Sequence, residues 1–212
     1  MLNLFCKETE NIYRLRVPFE NIYTSVFLII SGKGAILVDC ATTPKDVDEV
    51  ISPALKELGF SLKGLRGLVL THRHGDHAGG LSRILETAPN IEVITDIQTI
   101  FDGVSTYPLA GHTEDSVGVL DTRTNTLISG DGLQGAGVDK YRCYTKTPER
   151  YLETLERIKT DERIENILFS HAYEPWNRDS VLGRKSVLDC LEDCKKYVNE
   201  RKKNNESNTC KR

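Results

Sequence analysis

Short apolar runs rich in β-branched residues recur along the chain, bounded by Gly, Asp and Asn. They predict strands at about 25–31 (SVFLIIS), 35–39 (AILVD), 67–71 (GLVLT), 91–95 (IEVIT), 117–121 (VGVLD), 126–130 (TLISG) and 166–170 (NILFS). Gly32-Lys33-Gly34 joins the first two as a hairpin turn, so part of the sheet is antiparallel. Between the strands the period changes to that of a helix. Thr43 caps a first helix with Pro44 at its opening position, and Val47, Val50, Ile51, Ala54, Leu55 and Leu58 form one stripe before Gly59. A second helix is expected over 77–87, a third opens at Thr147-Pro148 with Tyr151, Leu155 and Ile158 inward, and a fourth covers 180–203. The polar stretch 204–212 is expected to fray. Strands interleaved with helices predict an α/β chain with mixed sheets and helices packed outside.

Composition narrows the class. The chain has 212 residues, 39% hydrophobic and 28% charged, which suits one soluble domain over 1–203 and not a disordered chain. Its net charge of −3, from 28 basic and 31 acidic residues, removes the broad electrostatic drive of a general nucleic-acid binder. The longest strongly apolar stretch, Val26 to Ile30, is too short to span a bilayer, and Lys7 and Glu8 interrupt the start before a secretory core can form. No membrane association is expected, and a cytoplasmic location is. The cysteines at 6, 40, 143, 190, 194 and 210 show no CxxC pair and are expected to be free thiols. Oligomeric state is left open.

The chemistry concentrates in Thr71-His72-Arg73-His74-Gly75-Asp76-His77-Ala78-Gly79-Gly80. The run GLVLT delivers three imidazoles and a carboxylate within six positions. In extended backbone His72 and His74 project to the same side, because side-chain direction has a period of two. Such a site belongs on a strand end and loop, unlike the i, i+4 spacing of a helical HExxH site. Gly75 lets the chain turn sharply to bring Asp76 and His77 round, while Gly79 and Gly80 leave room for close backbone approach. Only five histidines exist in the chain, and the other two are also placed at strand boundaries: His112 in LAGHT and His171 after NILFS. Asp131 likewise ends TLISG, in SGDG.

HRHGDH, then GHT, then SGD, then SHA, in that order and each at a strand end, resembles the metallo-β-lactamase superfamily over about residues 21–171. The resemblance implies a four-layer αββα sandwich with metals in a cleft at one edge. It implies that His72, His74 and His112 hold one metal, that Asp76, His77 and His171 hold a second, and that Asp131 bridges them. Asp39 matches an early Asp that supports the metal loop from behind the ligands. An Asp at 131 is similar to the glyoxalase II-like and lactonase branches, as are Asn21, Thr24 and Ser25, whereas β-lactamases commonly carry Cys or Ser near that step. The flavin-coupled di-iron branch would show Glu where this chain has His74.

The expected cofactor is a pair of divalent metal ions, with zinc favoured by the nitrogen and oxygen donors and iron or manganese also admitted. The expected partner is a small ester-like molecule, a thioester or lactone, cleaved by a metal-bridging hydroxide that Asp76 orients; no Ser or Cys nucleophile is required. Tyr141, Arg142, Tyr144 and Lys146, in the segment after Asp131, are candidates for substrate contact, as are Tyr173, Glu174 and Trp176 after His171. Glyoxalase II itself has a helical domain after its last histidine that helps bind glutathione. Only 41 residues follow His171 here, which predicts little selectivity for the glutathione part of a thioester. Three alternatives stay open at this point: a mononuclear-iron persulfide dioxygenase of the same superfamily, a nuclease or phosphodiesterase, and a catalytically silent binding module.

Overall fold

The computed structural model describes residues 4–20, 22–133, 145–172 and 178–209. Two six-stranded sheets carry the fold. The first contains β1 (Cys6–Lys7), β2 (Ile12–Phe19), β3 (Ile22–Ser31), β4 (Gly34–Val38), β5 (Gly67–Val69) and β6 (Glu92–Ile94), side by side in chain order. Strands β1 to β4 are antiparallel, and β4, β5 and β6 run parallel. The second sheet has β7 (Thr99–Phe101), β8 (Val104–Pro108), β9 (Val117–Asp121), β10 (Thr126–Gly130), β11 (Asn166–Phe169) and β12 (Ser180–Leu182), again in order, with only β10 and β11 parallel.

Side-chain alternation divides the apolar residues into three layers. Phe27, Ile29, Ile36, Val38 and Val69 of the first sheet meet Val104, Val119, Ile128 and Leu168 of the second in a central core. Their neighbours Val26, Leu28, Leu37 and Leu68 face outward onto Val47, Ile51, Leu55 and Ile84. Leu120, Leu127, Ile167 and Phe169 face Tyr151, Leu155, Ile158, Val187 and Leu191. The first helical cover consists of α1 (Pro44–Asp46), a π-helical stretch Val47–Ile51 and α2 (Ser52–Glu57), followed later by α3 (Gly75–Ala78) and α4 (Leu81–Thr87). The second consists of α5 (Pro148–Thr160) and α6 (Arg184–Thr209). Helices on sheet on sheet on helices is the αββα sandwich.

The helix starts are locally encoded. Thr43 Oγ1 accepts from the Asp46 amide while Asp46 accepts from the Thr43 amide, a reciprocal cap with Pro44 inside it. Three expectations need correcting. The second helix is broken in two at Gly79–Gly80. The fourth starts at Arg184, because Ser180–Leu182 pairs with β11 as a strand and Gly183 turns at φ 85°. Helix α6 also runs on to Thr209, into the stretch expected to fray.

The break at Gly79–Gly80 is a packing requirement. A Cβ on Gly79 would lie 1.8 Å from the Thr42 carbonyl oxygen, and one on Gly80 would lie 2.2 Å from that of Cys40. The Gly79 amide instead donates to the Ala41 oxygen at 3.0 Å, seating the metal loop on the turn after β4. Gly80→Ala should therefore destabilise the chain by about 1–3 kcal/mol or more, read as a lower urea midpoint. An unchanged midpoint would refute this account of the contact.

Candidate metal centre

Five chain segments reach the same edge of the two sheets. Asp39 follows β4, Thr71 to His77 follow β5, His112 follows β8, Asp131 follows β10 and His171 follows β11. The sheets are joined there by backbone bonds from the Val117 amide to the Thr71 oxygen and from the Ser25 amide to the Ser170 oxygen, both 2.8 Å. Asp39 sits at φ 61°, a left-handed conformation that costs about 1–3 kcal/mol away from glycine. Its contacts hold it there. Its buried carboxylate accepts from the Thr71 amide and hydroxyl, each at 2.8 Å, and from His77 Nδ1 at 2.7 Å. Its amide donates to the Val69 oxygen at 2.8 Å.

Two groups of donor atoms result, each with all its atoms within 4.8 Å of one another: His72, His74 and His112, and Asp76, His77, Asp131 and His171. In the first group, His72 Nε2 and His112 Nε2 each lie 3.0 Å from His74 Nδ1. In the second, His77 Nε2 and His171 Nε2 are 3.2 Å apart. Asp76 Oδ2 stands 3.2 Å from His171 Nε2 and 3.5 Å from His77 Nε2. Asp131 stands between the groups. Its Oδ1 is 3.3 Å from His171 Nε2 and 3.4 Å from His77 Nε2, while its Oδ2 is 3.8 Å from His112 Nε2.

Hydrogen bonding on the far side of the rings decides what those atoms offer. His77 Nδ1 faces the Asp39 carboxylate, and His171 Nδ1 faces the Tyr23 carbonyl at 2.7 Å, so both Nδ1 atoms carry the proton. Each Nε2 in the neutral ring then presents a lone pair, toward the other and toward two carboxylates. His72 Nδ1 lies 3.2 Å from Thr71 Oγ1, whose own proton goes to Asp39, so His72 Nε2 is likewise a lone pair. Asp131 Oδ1 is buried and accepts no hydrogen bond among the described residues. Converging lone pairs around an unsatisfied buried carboxylate are the donor set of a cation site, and the residues fit divalent metal ions.

The titration behaviour without metal points the same way. Burial, helped by the neighbouring imidazoles of His77, His112 and His74, holds His72 neutral down to about 2. Burial is the largest influence on His77 and His171 and disfavours charge, but Asp131 with Asp39 at His77, and Asp131 with Asp76 and the Tyr23 carbonyl at His171, together raise both above the ordinary histidine range. Burial would raise Asp76 and Asp131, yet the hydrogen bond to His171 together with the charges of His77 and His171 brings Asp76 to about 2, and His171 and His77 hold Asp131 well below the usual carboxylate range.

The structure thus brings together all seven candidate ligands and puts Asp39 behind them. Tyr141, Arg142 and Tyr144 lie outside the described residues, as do Asn21, Cys143, Tyr173, Glu174 and Trp176. Lys146 is exposed and 3.7 Å from Glu114. Arg73, between the ligand histidines, points outward to Asp115 at 3.8 Å. Among the described residues, Cys6, Cys40, Cys190 and Cys194 form no disulfide. No helix of the described residues is long and apolar enough to cross a membrane. Two contributors were not foreseen: Thr71, whose hydroxyl links Asp39 to His72, and Tyr23, which acts through its carbonyl.

The profile of the metallo-β-lactamase superfamily matches residues 21–99. Hydroxyacylglutathione hydrolase from Prochlorococcus marinus (strain MIT 9301) is 23% identical over 91% of this chain and 80% of its own. Atrochrysone carboxyl ACP thioesterase from Claviceps purpurea (strain 20.1) is 27% identical over 54% of this chain and 41% of its own. Among solved structures, a metallo-β-lactamase from Pseudomonas aeruginosa in its mono-zinc form superposes with a TM-score of 0.70 at 16% identity, over 92% of this chain and 97% of that one. Fold, donor set and profile together define a metallo-hydrolase fold with a His/Asp metal cluster. The chain is thus similar to the metallo-β-lactamase superfamily in sequence over residues 21–99 and in fold over about nine-tenths of its length.

Proposed function

We propose that this chain hydrolyses a small ester-like substrate, a thioester or a lactone, at a centre of two divalent metal ions. His72, His74 and His112 would hold one ion, Asp76, His77 and His171 the other, and Asp131 lies where it could serve both. The observation that carries this reading is the position of Asp131, with one oxygen on each donor group. Two similar proteins, one named a hydroxyacylglutathione hydrolase and the other an ACP thioesterase, at 23% and 27% identity, support the substrate class. The nitrogen and oxygen donors suit zinc. Such ions, when bound, polarise a scissile carbonyl and bring the pKa of a water to near 7.

The chain's own groups have distinct tasks. Asp39 and the Tyr23 carbonyl hold the Nδ1 protons of His77 and His171, fixing both rings in the tautomer that points Nε2 into the site. Asp76 is partly open to solvent at 22% exposure and stays ionised down to about 2, so it accepts a hydrogen bond from an attacking water throughout the neutral range. Burial of His72, His77 and Asp131 keeps bulk water from the inner side. Tyr141 and Tyr144 are assigned to donate to the substrate carbonyl and Arg142 to pair a substrate carboxylate.

The test is elemental analysis of untagged protein followed by a panel of thioesters, lactones, phosphodiesters and β-lactams. Close to two ions per chain with thioester or lactone turnover is expected, and no acyl-enzyme should be trapped by mass spectrometry. One iron per chain with oxygen consumption would replace this reading by an oxidative one.

A further inference from the structure

Strand β2 carries a charge where its alternation calls for an apolar side chain. Arg14 pairs with Phe27 across the β2–β3 ladder and faces the central core, fully buried, with its guanidinium carbon 4.9 Å from the Phe27 ring. Its Nη1 donates to the Phe169 carbonyl at 3.2 Å and its Nη2 to the Asp179 carbonyl at 2.8 Å. Nη1 also lies 2.8 Å from Asp179 Oδ2, and Nε lies 2.9 Å from Glu8. Phe169 is two residues before His171, and Asp179 is eight after it. Arg14 belongs to the first sheet, whereas Phe169 ends β11 of the second and Asp179 directly precedes its β12.

The same Asp179 oxygen receives Arg16 Nη2 at 2.6 Å and the Tyr23 hydroxyl at 2.6 Å. Tyr23 is the residue whose carbonyl takes the His171 Nδ1 proton. One network therefore fixes both the backbone leading to His171 and the group that sets its ring. Stability alone does not call for a buried arginine here, because apolar residues of similar volume commonly serve a core as well or better. What an apolar residue lacks is a planar fork that can grip two carbonyls and a carboxylate together.

We propose that Arg14 is a positioning residue: by clamping Phe169 and Asp179 across the two sheets, it aims His171 Nε2 at the second ion. This rests on the two-ion reading above. The network meets the donor atoms through His171, so its loss should weaken one binding step and spare the other.

The experiment is a chelator-buffered Zn²⁺ titration of wild type, Arg14→Met and Arg14→Lys, with the second step identified as the one that His171→Ala abolishes. Arg14→Met should weaken that step about tenfold or more and leave the other within about twofold. Arg14→Lys keeps the charge but not the fork, and should shift the second step in the same direction, which serves if the methionine variant does not fold. Second-step affinity within twofold of wild type in a folded variant, or equal weakening of both steps, would overturn the role of Arg14 alone. A wild-type chain that saturates at one ion would overturn the two-ion reading and this proposal with it.

Discussion

Asp131→Ala should hold at most one tightly bound ion per chain where the wild type is expected to hold two, and should lose about a thousandfold or more in kcat/KM. That factor corresponds to about 4 kcal/mol of transition-state stabilisation. The reason is geometric. Asp131 supplies one oxygen to the His77–His171 pair and the other to the His112 side, at 3.3 to 3.8 Å, so no second residue can take over both contacts. Removing it also strips the largest favourable charge from His77, and leaves two buried Nε2 atoms 3.2 Å apart with Asp76 as the nearby carboxylate among the described residues. Asp131→Asn separates charge from shape, since it fills the same volume and should still lose the second ion. Elemental analysis after gel filtration, with steady-state kinetics on the best substrate of the panel, reads both effects. An alanine variant that keeps two ions and activity within tenfold of wild type would end the bridging role.

The candidate site was legible in the sequence because its signals are local. His72 and His74 share a side through the two-residue period of extended chain, Asp76 and His77 follow the turn at Gly75, and His112, Asp131 and His171 stand at strand boundaries. Gly79 and Gly80 announced a close approach that the turn at Cys40 to Thr42 provides. What stayed hidden depends on partners far away in the chain. In Ile12–Phe19 the inward positions hold Arg14 and Arg16, so the alternation that marks a half-buried strand is broken by the residues that bind Asp179. Strands β7 and β8 are three and five residues long and polar at alternate places, too short for a period to register. The β12 residues read as the first turn of the helix behind them until pairing with β11 claims them. The Tyr23 carbonyl carries no side-chain identity, so no pattern could have flagged it.

Metal removal should reverse the way stability follows pH above the histidine range. In the metal-free protein His77 and His171 have folded pKa values raised above the ordinary 6.5, held up by Asp131 against burial. Their contribution is fully present below about 6.5 and is lost as pH rises through the folded values. His72 has the opposite sign. Its folded value near 2 means that the unfolded chain takes up a proton below 6.5 that the folded chain refuses, so stability falls as pH drops from 6.5. Asp76 and Asp131 are lowered, and their contributions are lost only as pH falls below the ordinary carboxylate range, which leaves the interval from 6 to 8 to the histidines. The metal-free chain should therefore be most stable near pH 6.5 and decline toward pH 8, as four acceptors lose the protons between them. With zinc present the ions replace those protons, and weaker proton competition at higher pH tightens binding. At free zinc about a thousandfold above Kd, linkage adds about 4 kcal/mol, or about 8–16 °C in Tm for a chain of this size. Calorimetry of chelator-treated and zinc-loaded protein at pH 6, 7 and 8 should show that increment widening with pH. A metal-free Tm that climbs from pH 6.5 to 8, or an increment that stays constant, would mean that His77 and His171 do not hold protons in place of metal.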